Sequence, residues 1–147
     1  MYAPHTVMIC NVVLETDPAT MQETETLYTT VLRGTMLQAG AAAKASAPGL
    51  KGDDRAVLYI PFSVQAVDWA TGKAKQYVTP ETFAAAADKS GLWTLTTHDS
   101  STLLVCGAAS PASAAEAQKL PGCYALTGVD IRDYGSAAMQ HWECRGA

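Results

Sequence analysis

The stretch "HTVMICNVVLE" at 5–15 constrains this chain most: it is dense in β-branched residues and apolar at odd and even positions alike. Side chains of a strand alternate between two faces, so this pattern fits a strand buried on both. The following "TDPATMQE" breaks the run with Asp-Pro and small polar residues, which mark a turn or a protruding loop. "TETLYTTVLRGTMLQA" then reads as a second strand, interrupted at Gly34 where glycine predicts a bulge or bend.

Residues 40–54, "GAAAKASAPGLKGDD", show no apolar period beyond alanine and predict a flexible excursion that orders against a partner. Ala41, Lys44, Leu50, Lys51 and Asp53 are its candidate subunit-contact residues. "RAVLYIPFSVQAVDWATGKAKQYV" predicts a kink at Pro61 and a hairpin that turns at Thr71-Gly72. In "TPETFAAAADKSG", Thr79 is placed to cap a helix of about three turns, with Pro80 and Glu81 in its first turn and Gly91 ending it. "LWTLTTHDSSTLLVCG" predicts another hairpin, and "SPASAAEAQKLPG" a second short helix starting at Ser110. Last, "CYALTGVDI" and "AMQHWECRG" flank the turn "RDYGSA" as a terminal ribbon. Such a ribbon would close the sheet, bury Tyr124, Leu126 and Trp142, and leave an edge for a neighbouring subunit. The expected architecture is a single mainly β domain over residues 1–147: a small antiparallel β-barrel or sandwich with one or two short helices.

Charge is unevenly placed. The net charge is −4, and residues 1–32 hold Glu15, Asp17, Glu23 and Glu25 with no Lys or Arg, so this quarter carries the whole excess. A surface that grips nucleic acid needs a basic face, which argues against that function class; an acidic wall that DNA slides past remains compatible. The start "MYAPHTVMIC" lacks the basic, then apolar, pattern of a signal peptide, and no run reaches the ~20 apolar residues of a membrane helix. The expectation is a protein made in the cytoplasm, with no membrane partner.

Candidate chemistry is sparse. His98, Asp99 and Ser100 are adjacent in "THDSS", whereas members of a hydrolytic triad meet from separate elements. Asp130, Asp133 and Glu143 lack calcium-loop spacing, and Arg132 sits among them. His5, His98 and His141 are scattered without the helical spacing of a zinc site. Cys10, Cys106, Cys123 and Cys144 form no Cys-x-x-Cys pair and read as small apolar strand residues. Trp69, Trp93 and Trp142 fall on different strands, where core packing is the ordinary role. The expectation is a chain with no catalytic residue, no metal ligand and no cofactor.

Several blocks taken in order, "LYIPF", "SGLWTL" and the ending "DYGSAAMQHW", resemble an uncharacterised family of phage proteins. That family belongs to the virion-structure genes of tailed phages and prophages, near the minor capsid and head–tail joining genes. The resemblance spans nearly the whole chain and carries no catalytic motif. It implies a virion structural protein of the neck: a head-completion or head–tail connector subunit, stopper or adaptor, forming an oligomeric ring of roughly six or twelve copies. Its implied partners are its own copies, the portal or adaptor, and tail proteins. Double-stranded DNA would pass through the lumen without sequence-specific binding, and Glu15, Asp17, Glu23 and Glu25 are the candidate lumen residues. A tail terminator or other tail-associated subunit is the nearest alternative reading, and a small β-type binding module the next.

Overall fold

Strand β1 (His5–Thr16) buries Val7, Met8, Ile9 and Cys10 in succession, as its doubly apolar pattern requires. Val7 and Ile9 join one apolar cluster, while Met8 and Cys10 join a second one. The computed structural model describes residues 3–40, 43–46, 49–52, 55–97, 102–107, 111, 113–120 and 122–147, with the backbone alone at 40, 43–46 and 49–52. Strand β2 (Glu23–Gly40) returns antiparallel beside β1, from Thr16↔Glu23 to His5↔Thr35. Gly34 drops out of that register and holds φ at 90°, a left-handed conformation that a side chain would strain. The predicted bend therefore falls on the predicted glycine.

Next come β3 (Ala43–Ser46), β4 (Gly49–Gly52), β5 (Arg55–Pro61), β6 (Gln65–Asp68) and β7 (Gln76–Tyr77). Helix α1 (Pro80–Ala85), β8 (Leu92–Trp93), β9 (Thr102–Cys106), α2 (Ala114–Gln118), β10 (Cys123–Arg132) and β11 (His141–Gly146) complete the chain. Seven strands form one antiparallel sheet in the order β1-β9-β10-β11-β5-β2-β6. Because β1 also pairs with β2, hydrogen bonding runs round a closed circuit of six strands, with β6 added on β2. Two strands turn the corners. β2 pairs with β1 and β6 up to Thr35 and with β5 from Met36 onward; β10 leaves β9 after Ala125 and continues against β11 from Leu126. Both changes coincide with a register shift, the device by which a strand passes from one layer to the next.

The main core lies within this circuit. Val7, Leu32, Leu58, Ile60, Leu104, Leu126 and Trp142 meet there from six strands, with Trp93 and Leu95 filling the interior. Trp142 is its centre: Phe62 and Tyr77 each lie 4.5 Å away by ring centroid, and Trp93 crosses it edge-on at 5.6 Å. Outside the sheet, α2 seats Ala117 over Met8, Cys10, Leu103 and Val105. The mainly β, antiparallel expectation with two short helices holds.

Several details differ from the sequence reading. Helix α1 has only six residues, and Ala86 is already extended at φ −69°, ψ 132°. Thr79 caps it with Pro80 in the first turn, as expected, but Phe83 is its sole buried residue, and one anchor does not sustain a longer helix. The chain does reverse at Thr71-Gly72, where Gly72 holds φ at 70° and the Lys75 amide donates back to the Ala66 carbonyl at 2.9 Å, whereas among the described residues β8 and β9 do not pair with each other. β6 pairs with β2 and makes one bridge, Val67↔Ala74, toward the returning chain; β8 pairs in parallel with β7. β9 inserts between β1 and β10, because Leu103, Leu104 and Val105 are apolar on both faces and need a central position. The terminal ribbon does form, yet β11 is hydrogen-bonded on both sides, to β10 and β5, so it offers no free edge. Within 40–54, β3 and β4 pair as a two-stranded ribbon.

Candidate functional site

The β1–β2 ladder outlasts its neighbours. Among the described residues, β9 pairs with β1 as far as Asn11↔Thr102 and β6 with β2 as far as Thr30↔Asp68, while β1 and β2 stay together to Thr16↔Glu23. Val12–Thr16 and Glu23–Thr29 thus form the far end of this ladder, an arm along which Glu15, Asp17, Glu23 and Glu25 are exposed. The arm tip is a compact turn. Asp17 accepts a hydrogen bond on Oδ1 from the Ala19 amide at 2.9 Å, and Met21 adopts a positive φ of 56°. Exposed apolar groups accompany the acids, with Leu14 at 60% and Met21 at 77% of full exposure.

The arm is anchored at its base on two sides. Val12 and Leu27 pack on the cluster beneath α2, and Tyr28 meets Phe83 of α1 edge-on at 6.1 Å. Glu25 Oε1 accepts a hydrogen bond from the Ala114 amide at 2.9 Å, a carboxylate at the positive end of α2. Of the four predicted acids, Glu25 therefore has a structural partner within the fold. Asn11 marks the point where arm meets sheet. It is buried, donates through Nδ2 to the Thr94 carbonyl at 2.9 Å, and accepts on Oδ1 from the Thr94 amide at 3.3 Å.

A groove of about 520 Å³ runs beside the arm. Five consecutive residues of β1, Asn11 to Glu15, line it, so it follows the strand's edge rather than one face. Its other wall comes from α1 and the segment after it, with Pro80, Glu81, Phe83 and Lys89. The Lys89 ammonium is tied down, donating to the Ala86 carbonyl at 2.8 Å beside the Phe83 ring.

The remaining sequence candidates do not converge on this groove. Ala41, Asp53 and the "HDSS" residues His98, Asp99 and Ser100 lie outside the described residues. Lys44, Leu50 and Lys51 fall on the β3–β4 ribbon, where Lys44 stands directly opposite Lys51. Asp130 and Glu143 do face each other across the terminal ribbon, but arginines interleave with them: Arg145 bonds Asp130, and Arg132 Nε lies 3.4 Å from Glu143. The Arg145 hydrogen bond holds the Asp130 carboxyl below its ordinary range. His5 Nδ1 accepts from the Leu37 amide at 3.0 Å and so fastens the start of β1 to β2. Trp93 and Trp142 are core residues, whereas Trp69 is 41% exposed in the turn after β6. Burial pushes the Cys10 and Cys144 thiols up to about 12.

Sequence reasoning missed Lys75. Its side chain is fully enclosed, with Nζ 3.4 Å from the Thr29 carbonyl and 4.0 Å from Asp68. Burial lowers its pKa and Asp68 partly restores it. The ammonium pins the 68–75 turn onto β2 rather than facing a ligand. "TGKAKQ" gives no hint of it, since both lysines look equally solvated.

The model described as "Family of unknown function (DUF6751)" matches residues 5–147, so the chain belongs to that family. No curated protein and no solved structure matches it.

Proposed function

We propose that this DUF6751 member is a tailed-phage virion structural protein, a head-completion or head–tail connector subunit that assembles as a ring beneath the portal. The observation that carries the proposal is the acidic arm projecting from a closed β circuit. A closed circuit leaves few open strand edges, so contacts with neighbours fall to the elements that project from it. The arm's exposed acids suit a channel wall, because DNA would be repelled from it rather than held. The blocks that resemble virion-cluster proteins supply the biological setting. In this reading the chain is not an enzyme; it is made in the host cytoplasm and ends in the virion neck. Its partners are further copies of itself, the portal or an adaptor, and tail proteins.

The test is capture of the purified chain on portal rings and, separately, on tail-tube protein. Retention by the portal is the expected result. Capture by the tube alone would move the assignment to a tail terminator. Binding to neither, by a chain that stays monomeric, would overturn the virion reading in favour of a binding module.

A further inference from the structure

Among the described residues, the large apolar side chains that stand exposed are Leu14, Met21, Trp69, Ile131, Tyr134 and Met139. All but Trp69 fall at two places: Leu14 and Met21 on the arm, and Ile131, Tyr134 and Met139 at the turn that joins β10 to β11. Apolar groups gathered in this way on a surface mark a contact. Both places are already held in shape. At the arm tip the Asp17 amide donates to the Gln22 carbonyl at 2.8 Å, and the Met21 amide to the Asp17 carbonyl at 2.7 Å. In the β10–β11 turn the Met139 amide donates to the Ser136 carbonyl at 2.9 Å, and the Gln140 carbonyl accepts from the Phe62 amide at 3.1 Å. Docking would therefore cost little ordering of either loop.

The two places lie at opposite ends of the β1–β2 ladder. Ala138, next to Met139, shares the walls of one cavity with Arg33, and Arg33 pairs with Thr6, ten positions along β2 from Glu23 at the arm tip. Ten residues of strand span on the order of 30 Å, so a copy's arm tip is carried away from its own turn. Charge is complementary across this distance. Arg33 is exposed, and none of the ion pairs among the described residues uses it. On the arm, Glu23 stands opposite Thr16, on the face that alternation also gives to Leu14, while Glu15 points to the other face.

We infer that the arm tip of one copy docks on the β10–β11 turn of the next, with Leu14 and Met21 against Tyr134 and Met139 and with Glu23 facing Arg33. Apolar burial would supply the adhesion, and the ion pair would set the register. The contact joins two different patches, so it is head-to-tail and generates a ring when its rotation closes. It deepens the ring reading above by naming that ring's self-contact, and it leaves Glu15 to the channel wall.

Sedimentation of the full chain at low salt, followed to millimolar concentration, tests it. Wild type is expected to associate. Glu23→Arg and Arg33→Glu should each weaken association by about tenfold or more, and the chain carrying both should associate again. Glu15→Lys, on the other arm face, should leave association within about twofold. A mixing experiment tests direction. A tip variant, Leu14→Ser with Met21→Asn, and a turn variant, Tyr134→Ser with Met139→Ser, should each stay monomeric alone with unchanged far-ultraviolet dichroism. Mixed, they should form a one-to-one dimer, because each keeps the half that the other lacks. A wild type that stays monomeric overturns the contact, as does a mixture that forms no dimer or association indifferent to the Arg33 reversal. None of these results touches portal capture, which judges the connector reading separately.

Discussion

Removing the indole of Trp142 should expose how far the closed circuit depends on one side chain. Trp142 is 7% exposed, and its ring is enclosed by Phe62, Tyr77 and Trp93 at 4.5–5.6 Å between centroids. It also stands on β11, the strand that joins β10 to β5. Trp142→Ala deletes a large buried aromatic and leaves a cavity walled by three other rings, which cannot all collapse into it. Such truncations cost about 3–5 kcal/mol, a large share of the roughly 5–15 kcal/mol that holds an ordinary domain folded. For a chain of this length the melting temperature should fall by about 10 °C. The comparison is Trp69→Ala, in a turn and 41% exposed, which should change stability by no more than about 0.5 kcal/mol. Urea titrations followed by far-ultraviolet dichroism give both values on one scale. A Trp142→Ala loss below about 1 kcal/mol, or a Trp69→Ala loss as large as that of Trp142, would refute the reasoning.

Other residues offer independent checks. Asn11→Leu leaves the amide and carbonyl of Thr94 without their side-chain partner and should cost about 1–3 kcal/mol in the same titration; a neutral result would mean that the arm's root is held by packing alone. Cys10 and Cys144 should resist a thiol reagent in the native state at mildly alkaline pH, while the half-buried Cys106 and Cys123 react first. Their native pKa values are raised from 9.0 to about 12, so burial of the neutral thiols contributes stability that is complete below pH 9. That contribution should be lost progressively as pH climbs toward 12. A flat stability profile across that window would contradict the burial assigned to these thiols. Lys75→Met should be tolerated within about 1 kcal/mol, because it removes a desolvated charge and keeps the volume; a larger loss would assign the ammonium a structural role beyond its two partners.

Strand existence was written in local pattern, whereas partner choice was not. The doubly apolar run of β1, the glycine bend in β2 and the Thr79-Pro80 helix start each follow from a few adjacent residues. The order in which strands assemble depends on which faces find cover. β9 is separated from β8 by a turn-like segment, yet its apolar faces draw it between β1 and β10. Gln76 and Tyr77 likewise pair in parallel with a strand beyond α1, a crossover that no local signal marks. The site was half legible. Acid clustering identified the arm's charge, but the groove forms where Asn11–Glu15 of β1 face α1 and the segment after it, a juxtaposition that no local pattern marks. Lys75 could not have been singled out, since its burial comes from β2 passing over a turn that looks solvated.

The most direct test of the connector account is protein mass spectrometry of purified, DNA-filled virions from a host that carries this gene, calibrated against the portal. The account predicts this chain in the particle at about six or twelve copies per portal ring, and retained after tails are stripped away. Its absence from virions that contain portal and tube protein would contradict the account.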